Sequence, residues 1–124
     1  MTYFDVYLVA LSMIGEAENT SATADYQKRA ERLFAHINIS LYPLHLNLGG
    51  TPIEADKFFI ETLDTRFLLH ESLMLTAALE VASLLIIDKL PSVSVLLKTR
   101  AEEEKKNVAA AGSTVSSIKE VYGI

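Results

Sequence analysis

Cysteine does not occur anywhere in the 124 residues, which excludes disulfides, a thiol nucleophile and thiolate metal ligation. The lack suits a cytosolic setting. Basic residues are scarce, 11 against 16 acidic ones for a net charge of -5, and Lys and Arg form no aromatic-interleaved stripe. Specific nucleic-acid binding driven by counterion release is therefore not expected. The first basic residue is Lys28, so the apolar N-terminus lacks the positive flank of a secretory signal and carries Asp5 instead; no export is expected. Nor is there a run long enough for a membrane span. The longest, Leu73 to Ile87, is interrupted by Glu80 and falls short of the roughly 18 apolar residues required.

What the chain does have is hydrocarbon. Half of its residues are apolar, the top of the usual range of roughly 45–50%, in a length that suits one domain. That composition leans towards self-association. Tyr3 to Ile14 is almost wholly apolar and unbroken, and Gly15 supplies a helix stop. Past the small and polar residues Glu16 to Ala22, Thr23 suits a cap, with Asp25 in the positive first turn. A second helix follows, with Tyr26, Ala30, Leu33, Phe34, Ile37 and Leu41 at three- and four-residue steps and Gln27, Lys28, Glu31 and Arg32 on its other face. Pro43 is expected to end or kink it near Tyr42.

Asn47, Gly49, Gly50, Thr51 and Pro52 are turn chemistry, and Ile53 to Phe67 shows no clean period, so irregular structure with one short helix or hairpin is expected. From about His70 to Lys89 a third helix is apolar over most of its circumference. Only Ser72, Thr76, Glu80 and Ser83 make a narrow polar strip. Such a helix must be buried on more than one side, and a neighbouring subunit is the expected second cover, contacted by Leu73, Ala77, Val81 and Leu84. Pro91 suits the first position of a fourth helix, which starts with Val93, Leu96 and Leu97 and turns charged from Lys98 to Lys106, with Glu102 and Lys106 spaced for a weak surface pair. Gly112 is its expected stop. The tail beyond scatters Val115, Ile118, Val121 and Tyr122 among small polar residues, as in an arm that docks on a partner. No repeat or heptad series is visible. The expected architecture is all-α: a four-helix domain over residues 1–112 with a long middle loop, and a C-terminal arm over 113–124.

Catalytic chemistry is thinly represented. His36, His45 and His70 match no helical metal-ligand spacing, and no Glu precedes any of them by three residues, so they are expected to be surface or loop histidines. Glu80 could serve as a general base if buried. It lacks a second convergent polar group, so solvation or pairing across an interface is the simpler expectation. Gly49-Gly50 is followed by no Lys-Ser or Lys-Thr and reads as a plain turn, not a phosphate loop. No Gly-x-Ser-x-Gly setting surrounds any serine. No enzymatic activity, cofactor or metal is expected.

The order of these features resembles a known family. Leu8 to Ile14 runs into Gly15-Glu16; Asp25 to Ala30 reads Asp-Tyr-Gln-Lys-Arg-Ala, and that helix closes on Leu41-Tyr42-Pro43. Leu63-Asp64 leads to the greasy helix Leu73 to Ile87. Asp88 to Pro91 makes a break before the charged helix Val93 to Lys106. This succession is similar to the small helical head-tail connector, or adaptor, proteins encoded beside the portal in tailed bacteriophages and prophages, with Ala78-Leu79-Glu80 standing where that family usually has Pro-Tyr-Gly. The resemblance implies a homo-oligomeric ring in the virion neck, assembled in the bacterial cytoplasm and bound to portal and to tail or stopper proteins. DNA would pass through its channel, and the net acidity suits a conduit that must not hold DNA. It implies no catalytic residue. A helical binding module, an antitoxin-like or adaptor subunit that covers one partner, is the alternative, distinguished by a one-to-one or two-to-two complex in place of a ring. An enzyme centred on Glu80 and a histidine is a third reading.

Overall fold

The structure is a computed structural model describing residues 1–15 and 21–122, with side chains described over 1–15 and 25–111. The described residues contain four helices: α1 (Tyr3–Met13), α2 (Ser21–Asn47), α3 (Met74–Ile86) and α4 (Pro91–Tyr122). Single 3-10 turns occur at Ala55–Phe58 and Glu71–Leu73. The all-α architecture and the long, mostly irregular middle segment agree with the sequence patterning.

Each boundary has a local cause. At α1, the Thr2 hydroxyl accepts from the Asp5 N–H while the Asp5 carboxylate accepts from the Thr2 N–H, a reciprocal capping box. Gly15, at φ +71°, ends that helix. The helix α2 begins at Ser21, so Thr23 lies inside it and is not its cap. It also continues through Pro43 to Asn47, against the expected stop near Tyr42. The ring of Pro43 is exposed and sits one turn from the helix end, where water can satisfy the carbonyl that loses its donor. The true stop is Gly49 at φ +83°: the Gly50 N–H donates to the His45 carbonyl at 2.8 Å and the Gly49 N–H to that of Leu46 at 3.0 Å, a Schellman closure. Pro91 opens α4 as expected, but the helix passes through Gly112 and reaches Tyr122.

The third helix is the hub. It packs on α1, on α2 and, most extensively, on α4. This corrects the expectation that a neighbouring subunit covers its second side. Leu73, Ala77 and Val81 are fully enclosed by their own chain, and the apolar circumference of α3 is needed because three helices surround it. Its polar strip faces α4: the Ser94 hydroxyl donates to the Ser83 carbonyl at 2.7 Å, and Lys105 Nζ lies 2.7 Å from Glu80 Oε1. Contacts that rise along α4 as they descend along α3 define an antiparallel hairpin. Fully burying a Leu or Val side chain is worth about 1.5–3 kcal/mol, and α1 contributes Val6 and Leu11 to this core beside Tyr3 and Tyr7.

Side chains, not a sheet, hold the middle segment. Its one bridge pairs Thr2 with Arg66, flanked by the Tyr3 N–H on the Thr65 carbonyl and the Phe67 N–H on the Met1 carbonyl, each at 3.0 Å. The Tyr3 hydroxyl donates to Asn38 Oδ1 at 2.7 Å and accepts from the Leu68 N–H at 3.3 Å, while Asn38 Nδ2 donates to the Phe58 carbonyl at 3.0 Å. From α2, Tyr42 and His45 do the same for Ile53 and for Thr51 and His70.

Candidate interaction surface

The α3–α4 hairpin turns over within four residues. The Lys89 and Leu90 N–H groups donate to the Ile86 carbonyl, and the Ser94 N–H donates to that of Leu90. On this short corner five large apolar side chains remain open to solvent: Leu84, Ile87, Leu90, Val95 and Leu96, between 36% and 66% exposed. Their neighbours Ser83, Leu85, Ile86, Ser94 and Leu97 turn inward, so the backbone beneath the apolar corner is fixed by packing on its other face. Charged groups lie beside it. Arg29 donates to the Leu84 carbonyl at 3.3 Å and lies 4.0 Å from Asp88, a cation placed where the α3 dipole is negative. Lys89 sits over the Tyr26 ring, 4.9 Å from its centroid. Exposed apolar side chains with charged groups beside them suit a protein interface.

Of the residues expected to meet a partner, Leu84 alone among the α3 set lies on this surface; Leu73, Ala77 and Val81 do not. Val115, Ile118, Val121 and Tyr122 belong to α4, but their side chains lie outside the described residues. Ile87, Leu90, Val95 and Leu96 were not expected from the sequence to be contact residues, although Leu96 was read as part of the apolar start of α4. The signal was there: Val95, Leu96 and Leu97 are consecutive, spread over more than half of a helical turn, and cannot all face one core.

The candidate catalytic groups are occupied structurally. Glu80 is 5% exposed and its partner Lys105 is in the same chain, which corrects the expectation of solvation or of pairing across an interface. At 2.7 Å the ammonium compensates the buried carboxylate directly. Burial works against the Lys105 ammonium, yet the carboxylates of Glu80 and Glu102 outweigh it and hold its pKa above the ordinary value. Glu102 meets Lys105 at 3.3 Å and Lys98 at 3.7 Å, where a pairing with Lys106 was expected.

His45 is neither a surface nor a loop histidine. It is buried in α2, and both ring nitrogens are used, Nε2 at 2.7 Å from the Thr51 carbonyl and Nδ1 accepting from the His70 N–H at 2.7 Å. His70 Nδ1 in turn accepts from the Ser72 N–H at 3.2 Å. His36 is exposed, beside Phe59 in a shallow groove formed with Glu31, Arg32 and Ile60. Among the described residues no three His, Asp or Glu side chains gather as they would around a metal ion. Among them, too, no helix is long and apolar enough to cross a membrane.

Compared with known proteins, the chain matches no family model, no curated protein and no solved structure at a significant level.

Proposed function

We propose that the chain is an assembly protein of a tailed phage or prophage, a head-tail connector subunit that joins a ring between portal and tail. The observation that carries this reading is the apolar corner Leu84, Ile87, Leu90, Val95 and Leu96 held on a rigid hairpin. A monomer gains nothing from leaving these side chains in water, whereas a subunit that meets its neighbour or the portal there buries them. Ring closure needs a heterologous contact, in which this corner meets a different surface of the next copy. The resemblance in helix order supports the same role, and the net charge of -5 suits a channel that DNA traverses.

The test is to co-express the chain with the portal protein of the same genome and to image the purified product. A ring seated on the portal is expected, and it should be lost in Val95→Glu/Leu96→Glu, whose changes lie on the exposed side of α4 and should leave the helical signal intact. A discrete one-to-one or two-to-two complex with another protein, and none with portal, would overturn the connector reading in favour of a binding module.

A further inference from the structure

A ring contact of the kind described above needs a second surface for the apolar corner to meet, and the middle segment presents one with α2. Phe59 is 65% exposed and lines a groove of about 370 Å³ together with Ile60 and, from α2, Glu31, Arg32, Ala35 and His36. Ile39, one turn along from Ala35 and 48% exposed, extends the apolar surface along the helix. The backbone here is fixed from beneath. Asn38 Nδ2 donates to the Phe58 carbonyl at 3.0 Å, and the buried Phe58 ring packs 5.0 Å from that of Tyr42, so its neighbour Phe59 is turned outwards. Groove and corner lie on opposite flanks of α2. Arg29 and Glu31 are two residues apart and therefore point about 160° apart around the helix axis; Arg29 reaches the corner at the Leu84 carbonyl, whereas Glu31 lines the groove.

The two surfaces also differ in the sign of their charge. Within four residues of the corner side chains, the exposed charges are Asp88, Lys89, Lys98 and Arg100, and Arg29 adds another cation beside Asp88. Within four residues of Phe59 and Ile60 they are Asp56, Lys57, Glu61 and Asp64, while Glu31 and Arg32 of the groove offset each other. The corner thus carries an excess of positive charge and the groove an excess of negative charge. We propose that the groove receives the apolar corner of a second copy, Val95 and Leu96 packing against Phe59, Ile60 and Ile39 while the cations of α4 face the acids of the middle segment. Two features select a second copy as the occupant. Opposite charges favour and orient this encounter, whereas corner against corner would set Lys98 and Arg100 against their own kind. Surfaces on opposite flanks can also both be occupied at once, so that each copy joins two neighbours, as a ring demands. The pairing rests on the connector reading in one respect, that the corner is a contact surface.

Sedimentation equilibrium of full-length chains tests the pairing. The unsubstituted chain should associate with rising concentration, less strongly as salt is added. Val95→Glu/Leu96→Glu, which spoils the corner, and Phe59→Glu, which spoils the groove, should each associate roughly tenfold or more weakly with the helical signal unchanged; Ile39→Glu should act as Phe59→Glu does. An equimolar mixture of the corner and groove variants should form a one-to-one heterodimer and nothing larger, because it retains one intact corner and one intact groove. Undiminished association of both groove variants, a mixture no more associated than its parts, or a monomer at every concentration would overturn the pairing. Rings that still form on the portal with Phe59→Glu would also overturn it and leave the connector reading standing. A heterodimer in the mixture, with no ring on the portal from the unsubstituted chain, would sustain the pairing and remove the connector reading.

Discussion

Tyr3 joins three parts of the molecule through one oxygen atom. Its hydroxyl serves Asn38 of α2 and the Leu68 N–H of the middle segment, and its ring packs on Phe34 and Phe67 with centroids 4.9 and 5.2 Å away. Burial pushes the phenol up to about 12, in spite of the bond that its oxygen accepts from the Leu68 N–H. Below pH 10.0, the ordinary value, the phenol keeps its proton in both states. Above it the unfolded chain releases a proton that the folded chain retains, so stability falls as pH rises from 10 towards 12, by up to about 1.4 kcal/mol per unit. Tyr3→Phe should cost about 1–3 kcal/mol near neutral pH, since the Leu68 N–H and Asn38 Oδ1 lose their partner. The same variant should lose stability less steeply above pH 10, and denaturant titrations at pH 8, 10 and 11 would measure both effects. Lys105, whose pKa is also raised, acts in the same direction, so a shallower slope is expected and not a flat one.

Across the α3–α4 interface the Glu80–Lys105 pair predicts an asymmetry. Lys105→Met leaves a buried carboxylate without its counter-charge and should destabilise by about 2–3 kcal/mol, below the range for a fully buried pair because Lys105 reaches solvent. Glu80→Gln removes the charge that needs compensation and leaves Lys105 beside Glu102, so a loss of about 1 kcal/mol is expected. Thermal unfolding of both variants and of the double variant would test this, the double being milder than Lys105→Met alone.

The elements show what could be read from the chain. The four helices, the ends at Gly15 and Pro91, and the buried stripe Tyr26, Ala30, Phe34, Ile37 and Leu41 were legible, because periodicity and backbone stereochemistry are local. The passage of α2 through Pro43 was not. It depends on the ring facing outwards near a helix end, and that orientation is tertiary. The cover of α3 was misread for a related reason: an apolar circumference states that a helix is enclosed, and nothing in it says which chain encloses it. Arg29, which joins α2 to the end of α3, carried no local signal at all.

At the scale of the whole molecule, the stretch between α2 and α3 is held by side chains from elsewhere, and His45 is the clasp that grips both its ends. Gly50 lies so close to the imidazole that a Cβ there would run into Cε1, Nδ1 and Nε2. Gly50→Ala should therefore displace the ring and loosen its bonds to Thr51 and His70, at a cost of about 1–3 kcal/mol. Hydrogen exchange should report the site: the His70 and Leu68 amides should exchange faster in the variant, while amides in the centre of α3 should slow or quicken only with global stability. Equal acceleration everywhere would mean that the segment opens only with the body.

The central position of α3 also bears on synthesis. Residues 74–86 leave the ribosome after α1, α2 and the middle segment, so both earlier helices are made before the hub on which their greasy faces close. The packing of α1 on α3 must wait for that late element, and these contacts are long-range in sequence, which slows folding. A cell that makes many copies at once would hold a population of unfinished chains prone to stick to one another, which makes the speed of translation through Leu73 to Ile86 a determinant of yield.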